Sequence, residues 1–171
     1  MTGQIPTLSP LKDKSTIRPA KPSDQPFIAG LSEEVFTIYG PYRTTVSRWF
    51  DSGVTMTLIS LSEGRPVGFV MIGALHEGSE GEAYAEVLAI AVTPEFQRRG
   101  IGGELLQVAH RKVEEMGDLR LFLHTAEENL SAQKLFLKTG YRFVVTKRGF
   151  YPAGQDALMM VKELEKDRNL E

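Results

Sequence analysis

The chain of 171 residues contains no cysteine. That removes disulfides, thiolate metal sites and a cysteine nucleophile. Histidine is scarce as well. His76, His110 and His124 show no H-x-x-x-H spacing, so the sequence predicts no metal site. An excess of charge is also missing: 20 basic against 22 acidic residues leave a net charge of −2. Domains that bind nucleic acid in general are strongly basic, so this function class is set aside. No apolar run approaches the roughly 18 residues that a membrane span needs, which argues against a membrane partner. The opening MTGQIPTLSPLKDK has no basic region followed by an apolar stretch, unlike a secretory signal. Residues 1–14 read instead as a flexible tail, 166–171 as a second one, and a cytoplasmic location follows by default.

What remains is ordinary globular material. Hydrophobic content is 42%, enough for one domain with a core, and no repeat or linker divides residues 15–165. Ser15 to Arg18 is a candidate strand. Ser23 or Asp24 is placed to cap a helix that turns Phe27, Ile28, Leu31, Val35 and Phe36 inward. A short helix through Val46, Trp49 and Phe50 ends at Gly53. VTMTLISL and RPVGFVMIGAL then form a hairpin around Glu63-Gly64. AYAEVLAIAV, residues 83–92, is so apolar that it predicts a strand buried on both faces. A helix with a stripe of Ile101, Leu105, Val108, Val113 and Met116 follows. LRLFLHT is a strand, Ser131 to Thr139 a helix, and the stretches around Phe143 and Leu158 a closing hairpin. This order predicts a mixed α/β sandwich around one sheet, with a parallel crossover after residue 92.

At that crossover the sequence reads EFQRRGIGGELL. Bare backbone at a helix N-terminus suits an anion, because unpaired N–H groups and the helix dipole converge there. A Walker A loop is excluded, since Glu104 and Leu105 stand where Lys and a hydroxyl are needed. The dinucleotide pattern G-x-G-x-x-G fails at Leu105.

What is present is Gln97-x-x-Gly100-x-Gly102 after an apolar strand. It resembles the acetyl-CoA signature of the GNAT superfamily of N-acetyltransferases. The opening IRPAKPSD and the segment NLSAQKLFLKTGY (Asn129 to Tyr141) resemble two further stretches of that family, in the right order. The resemblance implies a mixed, mostly antiparallel seven-stranded sheet flanked by about four helices. It implies acetyl-CoA as co-substrate and no metal. Its pyrophosphate would lie on the backbone of Gln97, Arg98, Arg99, Gly100, Ile101, Gly102 and Gly103. Its amide-rich arm would pair with Ile90, Ala91 and Val92, bordered by Asn129, Ala132 and Phe136.

Acetyl transfer to an amine needs a base, since an α-amine has a pKa near 8 and a lysine near 10.4. A backbone N–H near Ile90 to Val92 would hold the developing oxyanion. Glu86 matches the general-base glutamate of the histone-acetyltransferase branch. Strict alternation puts it on one face with Tyr84, Leu88, Ile90 and Val92. His124 matches a catalytic histidine of the N-terminal protein acetyltransferase branch, and imidazole titrates in the useful range. Which of the two acts is left open. His76 and His110 read as ordinary surface or helix residues. The family's tyrosine acid is Phe136 here, which has no proton to give; either another group serves, with Tyr84 and Tyr141 as candidates, or the thiolate leaves without help.

Two aromatic loops frame the acceptor: Tyr39 and Tyr42 in one, Phe150 and Tyr151 in the other. The last pair resembles one that grips peptide substrates in N-terminal acetyltransferases. The acidic turn EGSEGE would draw cations if it took part. The sequence thus predicts an acetyl-CoA-dependent N-acetyltransferase, monomeric or homodimeric, acting by direct attack in a ternary complex on a protein or peptide amine. A small amine such as a polyamine, amino acid or antibiotic, or a catalytically silent acyl-CoA-binding module, are the alternatives.

Overall fold

A computed structural model describes residues 15–77, 83–117 and 120–164. The two tails, the acidic turn at 78–82 and the side chain of His76 lie outside the described residues.

Seven strands form one sheet in the order β1-β2-β3-β4-β5-β7-β6. The strands are β1 (Thr16–Pro19), β2 (Met56–Ser62), β3 (Arg65–Glu77), β4 (Ala83–Val92), β5 (Arg120–Ala126), β6 (Arg142–Lys147) and β7 (Ala157–Glu163). Among the described strands, only β4 and β5 run parallel; every other neighbouring pair is antiparallel. The helices are α1 (Gln25–Phe36), α2 (Tyr42–Asp51), α3 (Ile101–Glu115) and α4 (Leu130–Lys138). The hairpin turn at Glu63-Gly64 takes positive φ at both residues (47° and 75°), the geometry that suits the twist of β2 and β3.

Each face of the sheet has its own core. Ile28, Leu31, Val46, Ile59, Phe69 and Met71 join α1 and α2 to one face. Val70, Leu105, Leu106, Leu121, Leu123 and Phe136 join α3 and α4 to the other. The apolar run of β4 is explained by this double covering, since its side chains enter both clusters.

Three local readings change. Asp24 makes no side-chain cap for α1. Its carboxylate instead accepts from Arg18 at 2.7 and 3.0 Å and from the Lys21 backbone at 2.7 Å, tying β1 to the approach of the helix. Met116 is exposed, because α3 ends one residue before it. His110 is no surface residue: it is buried on α3, with Nε2 3.0 Å from the Tyr141 hydroxyl.

Candidate active site

The site begins with an interruption of the sheet. β4 and β5 pair over four residues only, from Tyr84↔Arg120 to Val87↔Leu123. There β4 carries one residue too many. Met71 on β3 opposes Ala89 and Ile72 opposes Val87, which leaves Leu88 as a bulge. A bulge bends a strand and increases its twist. Beyond it β4 continues along β3, β5 continues along β7, and the two part. Gly73 accommodates the bulge: a Cβ there would lie 2.8 Å from Leu88 Cδ1.

The bulge also resets the alternation. Ala85 and Val87 pack under α3 and α4, and so do Ile90 and Val92, whereas Ala89 and Ala91 pack under α1 and α2. Glu86 therefore does not share a face with Ile90 and Val92, as strict alternation predicted. It turns towards the α1 and α2 side. His124 follows it there, because its neighbour Leu123 packs on the α3 and α4 side.

The two side chains meet. His124 Nδ1 lies 2.9 Å from Glu86 Oε1, and both are only partly exposed. A carboxylate oxygen accepts, so Nδ1 carries the hydrogen and Nε2 of the neutral ring is the bare acceptor. Nε2 is buried and has no hydrogen-bond partner among the described residues. The imidazole stacks on Phe150 with centroids 4.4 Å apart and planes 15° apart.

A cleft of about 410 Å³ opens around this pair. Ile90, Asn129, Ala132 and Phe136 line it from the α4 side, while Tyr39, Tyr42, Phe150 and Tyr151 line it from the other. The cleft thus passes through the sheet where β4 and β5 part, and Glu86 and His124 stand at the crossing. Sequence reasoning missed Leu88 and Trp49 as lining residues. Trp49 looked like plain core of an amphipathic helix. Leu88 carries no local signal within the apolar stretch from Val87 to Val92.

The aromatic wall joins two distant loops. Tyr39 packs on Tyr151 at 4.9 Å, Tyr42 on Tyr151 at 6.3 Å and Phe150 on Tyr151 at 5.1 Å. The backbone fixes the contact. Ala153 N donates to Tyr39 O at 3.1 Å, and Gln155 Nε2 donates to Ile38 O at 2.8 Å. Burial raises the pKa of Tyr39, Tyr42 and Tyr151, so these phenols stay protonated at neutral pH. Neither Tyr84 nor Tyr141 lines the cleft. Tyr84 packs on Phe122 at 5.3 Å, and Tyr141 is buried against His110 and Phe136.

The glycine turn lies beyond the α4 side. Arg98 and Gly100 take positive φ (63° and 85°), and among the described residues no side chain caps the first turn of α3. Its backbone N–H groups are therefore left for a ligand or water. Gln97 donates from Nε2 to Val92 O at 3.0 Å, which ties the turn to the end of β4. Arg99 lies over the Phe96 ring at 4.7 Å. Gly102 has a packing reason of its own: a Cβ there would stand 3.1 Å from Leu135 Cδ2 on α4. Asn129 caps α4, its Oδ1 accepting from Ala132 N at 3.1 Å. Among the described residues, no group of His, Asp or Glu side chains could hold a metal ion.

A parted pair of parallel strands with an uncapped helix behind it defines a class that comparison with known proteins makes explicit. The model of the acetyltransferase (GNAT) family matches residues 26–141, and the chain belongs to that family. It is an N-acetyltransferase, and enzymes of this family use acetyl-CoA.

N-alpha-acetyltransferase 20 of Dictyostelium discoideum is 32% identical over 136 residues, 77% of this chain and 74% of that protein. The [ribosomal protein bS18]-alanine N-acetyltransferase of Salmonella typhimurium is 35% identical over 79 residues, 44% of this chain and 53% of that protein. The match thus spans about half the length of this bacterial relative. Among solved structures, Arabidopsis thaliana NAA60 in complex with a bisubstrate analogue shares the fold. Its TM-score is 0.78 at 19% identity, covering 90% of this chain and 100% of that one.

Proposed function

We propose that the protein transfers an acetyl group from acetyl-CoA to the α-amine of a protein or peptide, by direct attack in a ternary complex. The observation that carries this reading is the cleft through the sheet, with His124 and Glu86 at its crossing. Two reactants approaching from opposite faces of the sheet would meet there.

The residues present fit the coenzyme. The uncapped α3 N-terminus and the positive-φ turn before it suit a pyrophosphate on Gln97 to Gly103. β4 beyond Val87 lacks β5 as a partner, which leaves strand backbone for an amide-rich arm near Ile90, Ala91 and Val92. Asn129, Ala132 and Phe136 would border it. Acetyl-CoA supplies the acetyl thioester when bound.

The chain's own contribution is the acceptance of the amine's proton. His124 Nε2, bare and buried, takes it from the amine, and Glu86 holds the Nδ1 hydrogen and steadies the imidazolium that forms. Glu86 is then a positioning residue and His124 the base. Tyr39, Tyr42, Phe150 and Tyr151 would grip the acceptor.

The test is thiol release from acetyl-CoA with a disulfide-type chromogenic reagent, against N-terminal peptides, lysine peptides and small amines. The chain has no cysteine, so all signal comes from coenzyme A. Release that needs an N-terminal peptide supports the proposal. Release with small amines alone would replace its acceptor. Tight binding of acetyl-CoA without any release would favour a silent binding module, a reading that Phe136 supports and the paired Glu86 and His124 oppose.

A further inference from the structure

A base works only if its lone pair points at the proton it takes. The bond from Nδ1 to Glu86 fixes one corner of the His124 ring. It leaves the ring free to tilt about the line of that bond. The face of Phe150, with centroids 4.4 Å apart and planes 15° apart, removes this freedom. Yet Phe150 is itself an exposed ring, 41% accessible, on the loop between β6 and β7. Its place on the imidazole depends on what holds that loop.

The hold is at Asp156. Phe150 follows Gly149, whose φ is positive (58°). Glycine by itself selects no single backbone shape. Asp156 Oδ1 selects one, accepting from Gly149 N at 2.7 Å. The rest of the loop is tied elsewhere: Tyr151 N donates to Gln155 O and Ala153 N to Tyr39 O, both at 3.1 Å. Asp156 also reaches the strand that carries His124. Its carbonyl accepts from Glu127 N at 3.1 Å, one residue beyond β5, and the next residue, Ala157, pairs with Ala126 at the end of β5. One residue thus bears on both halves of the stack, on His124 through β5 and on Phe150 through the turn. The other carboxylate oxygen meets Arg148 at 3.4 Å, but that arginine side chain is 89% exposed, and an ion pair so placed contributes little.

We infer that Asp156 is a positioning residue of the reaction: it fixes the Gly149 turn, the turn lays Phe150 against His124, and the stacked ring keeps Nε2 aimed at the acceptor amine. This rests on the reading of His124 as the base and gives that base a second support. Glu86 holds the ring by one atom, and Phe150 holds it by its face. A reacting group misplaced by about 1 Å loses on the order of 100-fold in rate. A loosened turn that keeps the ring in place for part of the time loses less, roughly tenfold.

The experiment uses the full chain. Turnover is read by thiol release from acetyl-CoA with the best acceptor of the panel above. The His124 ring protons are read by NMR without acceptor and assigned by their absence in His124→Ala. In the native chain the Phe150 face should shift them upfield. Asp156→Ala should lose that shift and lower kcat by roughly tenfold, with the KM for acetyl-CoA unchanged. Asp156→Asn should keep both, because its amide oxygen still accepts from Gly149 N. Arg148→Gln should keep both as well. Phe150→Leu should lower kcat at least as far as Asp156→Ala, and the two changes together should lower it no further than Phe150→Leu alone, since one acts through the other. Native ring shifts and native kcat in Asp156→Ala, or a further loss in the double variant, overturn the inference while His124 stands as the base. An equal loss in Asp156→Asn or Arg148→Gln assigns the effect to charge and overturns it too. If Asp156→Ala does not fold, Asp156→Glu carries the test: its longer side chain should displace the turn, and native values there overturn the inference. Full turnover in His124→Ala, or silence across the whole acceptor panel, overturns the base reading itself, and the inference with it.

Discussion

His110 is the residue whose chemistry departs furthest from its appearance in sequence. It reads as one more helix residue, yet it is buried on α3 against Tyr141. Burial, and then the charge of Lys162, push its pKa down to about 4. Unfolded, an imidazole titrates near 6.5. Between those values the unfolded chain binds the extra proton, so stability is fully present above about pH 6.5 and falls as pH drops towards 4. Urea unfolding midpoints should decline over that window, and His110→Gln should flatten the decline. An unchanged slope in the variant would locate the acid sensitivity elsewhere.

Glu86 and His124 were legible as candidates, but their bond was not. They stand 38 residues apart in sequence, and only the register of β4 against β5 brings them together. His124→Ala should lower kcat by roughly 100-fold or more, the scale of a lost general base. Glu86→Gln should lower it less, because the amide oxygen can still accept from Nδ1. Neither should weaken acetyl-CoA binding, which isothermal calorimetry would read. Gly100, by contrast, serves the turn. With φ at 85°, Gly100→Ala should cost about 1 kcal/mol of stability and weaken coenzyme binding.

Most elements were readable from hydrophobic period and glycine punctuation. β4 matches its predicted bounds, and α3 and α4 stop beside Gly117 and Gly140 at positive φ. The bulge at Leu88 was not readable. It lies inside AYAEVLAIAV, where Val87 to Val92 are all apolar and the period has no visible break. Its effect is nevertheless large, since it decides where the parallel pairing ends. Deleting Leu88 would leave Val87 and Ala89 on their present faces and pair them regularly with Ile72 and Met71. The straightened strand should then run further along β5. The expected outcome is a folded protein, read by circular dichroism, that has lost acetyl-CoA affinity. A deletion variant that still binds the coenzyme would separate the bulge from the opening of the sheet.

For the whole molecule, the family follows from three motifs in order. The placing of β7 between β5 and β6 does not, because a closing hairpin can join a sheet by either of its strands. The passage through the sheet predicts kinetics as well. Two substrates held on opposite faces should give intersecting initial-velocity lines, and a chain without cysteine offers no thiol to carry the acetyl group between them. Parallel lines would point to a covalent intermediate and away from direct transfer.

The docking of the two aromatic loops also sets a timetable. The hydrogen bond from Gln155 to Ile38 closes a span of 117 residues, and closures of that length come late in folding. During synthesis, residues 36–42 emerge early and wait for the loop at 150–155 to follow. One wall of the cleft is thus missing until residues 150–155 have left the ribosome. A chain that has not yet docked that loop lacks part of the surface an acceptor would meet, so acetylation waits on the loop.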